Sequence, residues 1–487
     1  MTRQVVVATV AAAARGRAMS TAQASGAGSL PPPGASFGSF FSGNVDAMIR
    51  TELDAWPVPL PTAGCPPAVT LPSSDQPLQP GSPALRRLFM LDPEFAFLNH
   101  GAFGATLKPI HEQASRWRTY QEAQPLRFFD RVLLPHQARN WREVAKFINA
   151  QPKDVVLLPN ATTGLNAAIE HVVRTAASRS NSVILSTSLA YGAVKTMLAV
   201  ACQRHGVQQV ECDLPLSSAA PLTTRGVLAA LQNSVERILA EGGQPTALVL
   251  DHITSNTAAR LPIEELAGWA RDQGIDVLVD GAHGLWQEPL DMASMQRSGI
   301  KAYVTNTHKW LCGAKSAAVM WVDPAWQDHL RPLIVSHGYR GGFLEAFSWD
   351  GCRDYAAVLT LADTIQLWRD LDLSACRAYT SQLLDRVVQQ CLATFGTTEP
   401  LDPELRAANM RLVPLPRWVH PKRPLTGDDA PELQERLYRR NIEVPVKRIN
   451  QGQELCVRLS AHVYNTEADY APLLEAFATE SSAMRLE

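Results

Sequence analysis

Val277-Leu278-Val279-Asp280-Gly281-Ala282-His283 is the stretch that frames the rest of the chain: a short apolar run that stops at an acid, a glycine and a histidine. Apolar residues at consecutive rather than alternate positions fit a strand buried on both faces of a mostly parallel sheet. Similar runs stand on either side: Val155-Val156-Leu157-Leu158, Val183-Ile184-Leu185, Ala247-Leu248-Val249-Leu250, Ala302-Tyr303-Val304 and Ala318-Val319-Met320-Trp321. Between them lie helical patterns such as Ile263 to Arg271, whose apolar positions recur three and four residues apart. Strand and helix in repetition predict an α/β domain over residues 88–364. The remainder, 365–487, combines a helical pattern at Ser381 to Ala393 with strand candidates at Met410 to Pro414 and Leu455 to Ser460. It reads as a smaller C-terminal α+β domain.

In open sheets of this kind ligands gather where the strands end, so the residues just after each run carry the chemistry. Asp280 ends its strand in low dielectric and calls for a cationic partner, unless it merely caps the following helix. After Ala302-Tyr303-Val304 comes Thr305-Asn306-Thr307-His308-Lys309-Trp310. A lysine beside apolar Trp310 and Leu311 would be partly desolvated, which lowers an amine's pKa and makes it nucleophilic toward an aldehyde. The plainer alternative is a surface lysine lying along apolar neighbours. After Leu158 comes Pro159-Asn160-Ala161-Thr162-Thr163-Gly164, a strand turning into a helix whose first N–H groups could cradle a phosphate. Asn and Thr are also ordinary N-caps, and nothing local separates the two readings.

Composition narrows the class. The chain has 487 residues, 46% of them apolar, with 45 basic and 47 acidic side chains and a formal net charge of -2. That length predicts two structured domains, and the balanced charge argues against nucleic acid or an anionic membrane as partner. No charge-free apolar run reaches the roughly 18 residues of a membrane span. The eight cysteines are scattered without CxxC spacing, so no metal site is expected and the thiols read as reduced and mostly buried. Residues 1–45 carry Arg3, Arg15 and Arg17 and no acid before Asp46, the bias of an organellar transit peptide to a chloroplast or mitochondrion. The plainer reading is a disordered extension on a cytoplasmic protein. Residues 46–87 read as a Pro-rich linker, with folded structure expected to begin near Leu85.

Taken together, these strings resemble the isopenicillin N epimerase-like branch of the class V aminotransferase superfamily, relatives of the cysteine desulfurases. The resemblance rests on Leu98-Asn-His-Gly-Ala-Phe-Gly104, Asn160-Ala-Thr-Thr-Gly-Leu-Asn166, Asp280-Gly-Ala-His283, Asn306-Thr-His-Lys-Trp-Leu-Cys312, Ser348-Trp-Asp-Gly351 and Val457-Arg-Leu-Ser460. It implies the fold type I architecture of enzymes dependent on pyridoxal phosphate (PLP), with a mostly parallel seven-stranded sheet in the large domain. It implies a homodimer acting on a small amino acid. By that resemblance Lys309 holds the cofactor as a Schiff base and moves the α-proton. Asp280 would face the pyridinium nitrogen, His283 and Ser255 the ring oxygen, and Tyr191 the ring face. Ala161, Thr162, Asn306 and His308 would hold the phosphate. Arg458 would take the substrate carboxylate, with Asn99 and His100 at the substrate mouth. Substrate side-chain contacts are expected from loops around Phe128, Phe129 and Arg340 to Phe343.

Two departures stand out. Cys352 occupies the position where the family places a Thr that reaches the neighbouring subunit's phosphate, and Ala314-Lys-Ser316 replaces Pro-Lys-Gly. The segment Arg440 to Gln453 has no cysteine, which argues against a persulfide-forming desulfurase, and Cys456 reads as a packed thiol. The branch includes cysteine desulfhydrases and sulfoxide lyases of ergothioneine synthesis, and the transit-peptide-like N-terminus fits those better than a microbial epimerase. The resemblance therefore favours carbon–sulfur β-elimination from L-cysteine or an S-substituted cysteine. Epimerase and aminotransferase chemistry are the alternatives, and a non-catalytic scaffold is the distant one.

Overall fold

Each of the apolar runs becomes a strand of one sheet. The computed structural model describes residues 45–52 and 64–487; the expected transit peptide, apart from its last residue, lies outside them. The sheet contains β1 (Val155–Leu158), β2 (Ser182–Thr187), β3 (Gln208–Cys212), β4 (Gln244–Asp251), β5 (Asp276–Asp280), β6 (Ile300–Asn306) and β7 (Ala318–Val322). Its spatial order is β1-β7-β6-β5-β4-β2-β3. Neighbours from β6 to β3 run parallel, whereas β7 is antiparallel to both β1 and β6. This is the mostly parallel seven-stranded sheet that the resemblance implies.

Burial explains which strands were readable. β1, β2 and β7 are buried at every position, because helices cover both faces. The edge strand β3, Gln-Gln-Val-Glu-Cys, is half exposed and carries no apolar run, so local pattern passes over it. Crossover helices include α1 (Ala161–Ala176), α2 (Gly192–His205), α3 (Thr224–Ala240) and α4 (Ile263–Asp272). In α4 the buried residues are Ile263, Leu266, Ala267 and Ala270, one stripe facing the sheet.

Beyond the sheet, α5 (Leu361–Asp370) leads into the long helix α6 (Leu373–Phe395). The C-terminal part builds an antiparallel sheet from β8 (Met410–Pro414), β9 (Val446–Ile449) and β10 (Glu454–Ser460), in the order β9-β10-β8. A separate apolar cluster fills it, including Leu383, Val387, Val413, Leu433, Val457 and Phe477. Leu98 belongs to that cluster, and Ala96–Phe97 pairs in parallel with Ile442–Glu443. An early segment of the chain is thus woven into the C-terminal unit.

Folded structure also begins earlier than the expected position near Leu85. Val45–Arg50 is helical, with Val45, Met48 and Ile49 buried. Arg142 closes its end by donating to the carbonyls of Ile49 (3.1 Å) and Thr51 (2.6 Å). Three apolar residues at i, i+3 and i+4 form one helical face, but six residues are too few for the period to stand out from a proline-rich context.

Candidate active site

A cleft opens at the carboxyl ends of β4, β5 and β6 and at the N-terminus of α1. Ala161, Thr162, Tyr191, Ser255, Asp280, His283, Asn306, His308 and Lys309 all line it. The sheet brings them together because β4, β5 and β6 are parallel neighbours ending at one level, Asp251 pairing in register with Asp280.

Lys309 Nζ lies 2.9 Å from His283 Nε2. The other ring nitrogen, Nδ1, accepts from the Trp310 indole N–H at 3.2 Å. An indole N–H only donates, so His283 Nδ1 carries no proton. Burial holds the His283 pKa well below its usual value, with Lys309 and Arg458 adding to the effect, so the ring is neutral and its proton sits on Nε2. That N–H faces Lys309, and only an uncharged amine can accept it. Desolvation acts in the same direction and brings the Lys309 pKa down to about 8 against the opposing pull of Asp280.

Asp280 is buried, accepts from Ala282 N–H at 2.9 Å, and has its pKa raised by burial. Asp251, beside it, is likewise buried and pushed well up, by burial and by Asp280 itself. Two adjacent buried carboxyls disfavour double ionisation, so a cation in the cleft would be drawn to them. Asp251 also lines the cleft and was not singled out from the sequence, although it ends its strand as Asp280 does.

At the start of α1, Ala161 N–H donates to Asn306 Oδ1 (2.9 Å) and Thr163 N–H to Asn160 Oδ1 (2.9 Å). These side chains use two of the first helical amides and leave Thr162, with its amide and hydroxyl, toward the cleft. His308 Nδ1 is buried without a hydrogen-bond partner, and burial lowers its pKa to about 4. Tyr191 caps α2 and remains half exposed at the rim.

Arg458 sits on β10, just outside this lining. It donates to the Ser255 carbonyl and, at 3.0 Å, to Asn99 Oδ1, while its Nε has no partner. Burial lowers its pKa to about 10. Asn99 in turn donates to Glu443 Oε1 at 2.9 Å. His100 does not reach the cleft mouth as expected: it is fully buried behind the lysine backbone, donating from Nε2 to the Lys309 carbonyl at 3.0 Å. Phe128 and Phe129 also miss the cleft. They pack with Trp117, Trp349 and Tyr355, ring centroids 5.8–6.5 Å apart, as aromatic core residues. Arg340 to Phe343 is likewise absent from the lining.

The described cysteines are all free, and six of the eight are buried, Cys456 among them. Cys352 is exposed. His100, Cys312 and His462 place ligand-capable atoms within 4.8 Å of one another. However, both imidazole Nε2 atoms donate to carbonyls, which leaves no lone pair there for a metal.

Comparison with known proteins agrees with the geometry. Residues 135–422 match the family model described as aminotransferase class-V. The chain belongs to that family. Among class-V relatives, it is 28% identical over 407 residues to a putative L-cysteine desulfhydrase of rice, covering 78% of this chain and 82% of that one. It is 28% identical over 414 residues to the isopenicillin N epimerase of Streptomyces clavuligerus, covering 80% and 96%. A solved variant of the protein C-DES, with glycine covalently linked to its PLP cofactor, superposes with a TM-score of 0.63 at 17% identity, covering 81% and 99%. PLP is the cofactor of this class-V fold. The donor set fits it: an amine with a lowered pKa, buried carboxyls lacking a full cationic partner, and a helix N-terminus at Thr162.

Proposed function

We propose that this protein is a carbon–sulfur β-lyase acting on L-cysteine or an S-substituted cysteine, with Lys309 as the lysine that holds PLP. The observation that supports the assignment of Lys309 is its Nζ lying 2.9 Å from His283 Nε2 in a desolvated cleft beside Asp280, where its pKa falls to about 8. When bound, PLP supplies an electron sink that weakens the bonds at the α-carbon of an attached amino acid.

The residues divide the remaining work. Asp280 and Asp251 would offer negative charge to the ring nitrogen and keep its proton in place. The Thr162 amide and hydroxyl, with His308, receive the phosphate at the positive end of α1. Tyr191 would cover one ring face, and Ser255 and His283, which line the same cleft, would border the ring oxygen. The planar Arg458 fork, oriented by Asn99, takes the substrate carboxylate. Lys309 Nζ accepts the α-proton, and its lowered pKa places it near the operating pH, where a base is most effective.

No cysteine lines the cleft, and burial pushes the Cys312 and Cys456 thiols well up, which speaks against a persulfide-forming nucleophile. The similarity to a desulfhydrase supports lyase chemistry, while the similarity to an epimerase keeps epimerisation as the second reading. Aminotransfer is a third, and a scaffold has no physical need of Lys309, Asp280 and Arg458 together. We further infer a homodimer, supported by the exposed apolar residues Phe103, Leu333, Ile334 and Val335, the first of them at the cleft. Organellar import is supported by the acid-free, arginine-bearing N-terminus.

Purified protein loaded with PLP and incubated with L-cysteine or hercynylcysteine sulfoxide should release pyruvate and ammonia, with sulfide from the former. An intact carbon–sulfur bond with loss of optical purity would replace the lyase with an epimerase.

A further inference from the structure

Behind the cleft, the backbone that carries Lys309 is held in an unusual way. Four successive carbonyls, at residues 309 to 312, belong to no regular element. Besides the local Cys312 N–H on the Lys309 carbonyl (3.1 Å) and the Cys312 thiol on the Trp310 carbonyl (3.6 Å), each is taken by a donor distant in sequence. Lys309 C=O accepts from His100 Nε2 at 3.0 Å. Trp310 C=O accepts from His462 Nε2 at 3.1 Å, Leu311 C=O from the Trp368 indole at 2.7 Å, and Cys312 C=O from Leu107 N–H at 3.1 Å.

The two histidines are locked in one tautomer. Tyr464 O–H donates to His100 Nδ1 at 2.8 Å, and Val463 N–H donates to His462 Nδ1 at 2.9 Å, so each Nε2 keeps its proton for a carbonyl. The rings stack with centroids 4.3 Å apart, the Cys312 thiol lies beside both, and burial keeps the His100 and His462 pKa values far down. Gly104 (φ 69°) seals the same backbone: a Cβ there would lie 2.1 Å from the His308 carbonyl oxygen.

The partner of Lys309 is tethered to the same place. Gln287 donates to the His283 carbonyl at 2.8 Å, Asn409 N–H donates to Gln287 Oε1 at 3.2 Å, and Ala461 N–H donates to the Asn409 carbonyl at 3.1 Å. Both groups of the 2.9 Å Lys309–His283 contact are therefore anchored to residues 461–462, just past the end of β10, the strand that carries Arg458.

We propose that His100 and His462 are positioning residues: as uncharged donors they fix the Lys309 backbone and so set the distance and desolvation of Nζ relative to His283 and Asp280. The proposal rests on Lys309 being the cofactor lysine, but its test does not need the cofactor. The groups facing Nζ are Asp280, Asp251, His283, His308 and Arg458; those facing His100 are His462, Tyr464, Cys312 and Lys315.

The decisive variants are His100→Leu and His462→Leu, which keep bulk but lose the donor, with His100→Gln and His462→Gln, whose amide nitrogen retains an N–H at similar reach. In full-length protein freed of cofactor, the pH midpoint for acylation of Lys309 by a small reagent is followed by peptide mass spectrometry. Alongside it, the pH response of the yellow band is followed in PLP-loaded protein. The Leu variants should move the amine midpoint up from about 8. The expected move is half a unit or more, roughly a threefold change in the ionisation constant. The Gln variants should restore it. If the Leu variants do not fold, Tyr464→Phe, which removes only the donor to His100, should shift the midpoint in the same direction. An unmoved midpoint, identical behaviour of Leu and Gln variants, or stoichiometric zinc that the Leu variants lose would overturn the clamp. A wild type that stays colourless with PLP would instead remove the assignment of Lys309 while leaving the amine measurement valid.

Discussion

The two sides of Lys309 differ in how their polar atoms are used. On the cleft side, Lys309 Nζ has one neutral partner, Asp280 has a single backbone donor, and His308 Nδ1 has none. On the far side, every carbonyl from 309 to 312 and every ring nitrogen of His100 and His462 is committed. Buried polar groups are normally satisfied from within, so a cluster of under-used ones marks a place prepared for a ligand. The committed carbonyls and imidazoles of the far side hold the geometry, although Trp286 Nε1 and Asn409 Oδ1 beside them stay unpaired, and the under-used atoms of the cleft are left for binding.

The strongest challenge to this contrast is Lys309→Ala. It should abolish the yellow band and lower turnover by roughly a thousandfold or more, as expected for loss of a proton-transferring group; a coloured, active variant would refute the division. Asp280→Asn removes the charge facing the ring and should lower kcat by roughly a hundredfold, measured in steady-state turnover. Next comes pH. The Lys309 amine is the reactive form and its pKa lies at about 8. Its uptake of PLP should therefore rise roughly tenfold between about pH 7 and about pH 9, followed by stopped-flow absorbance. An ordinary exposed lysine would keep gaining reactivity up to a much higher pH. The smallest effect is on the far side: Gly104→Ala places a methyl group against the His308 carbonyl at positive φ. It should destabilise the fold by about 1–3 kcal/mol, read as a lower Tm.

This contrast also explains what the sequence could convey. Lys309, Asp280, His283 and the Asn160–Asn166 turn were legible because strand ends are local features and the sheet lines them up. Asp251 obeys the same rule and was passed over because its following residues formed no distinctive string. His100 was misplaced, since its partner Tyr464 lies 364 positions away and nothing local reports that burial. Phe128 and Phe129 were read as loop residues, although their rings pair across the chain with Trp117 and Tyr355. The edge strand β3 and the helix at Val45 lacked a readable period, one through exposure and the other through length.

The clamp also bears on how the protein matures. Its bonds join Lys309 and Trp310 to residues separated from them by 209 and 152 positions, in opposite directions along the chain. Contacts that distant form late, after loop closure has been overcome, and a chain emerging from the ribosome has no residue 462 until every strand of the seven-stranded sheet has been made. The α/β sheet can assemble with its lysine present but loosely held. Capture of the cofactor in its final geometry therefore waits on residue 462, so that a yellow protein is one in which His100 and His462 have already met at the lysine backbone.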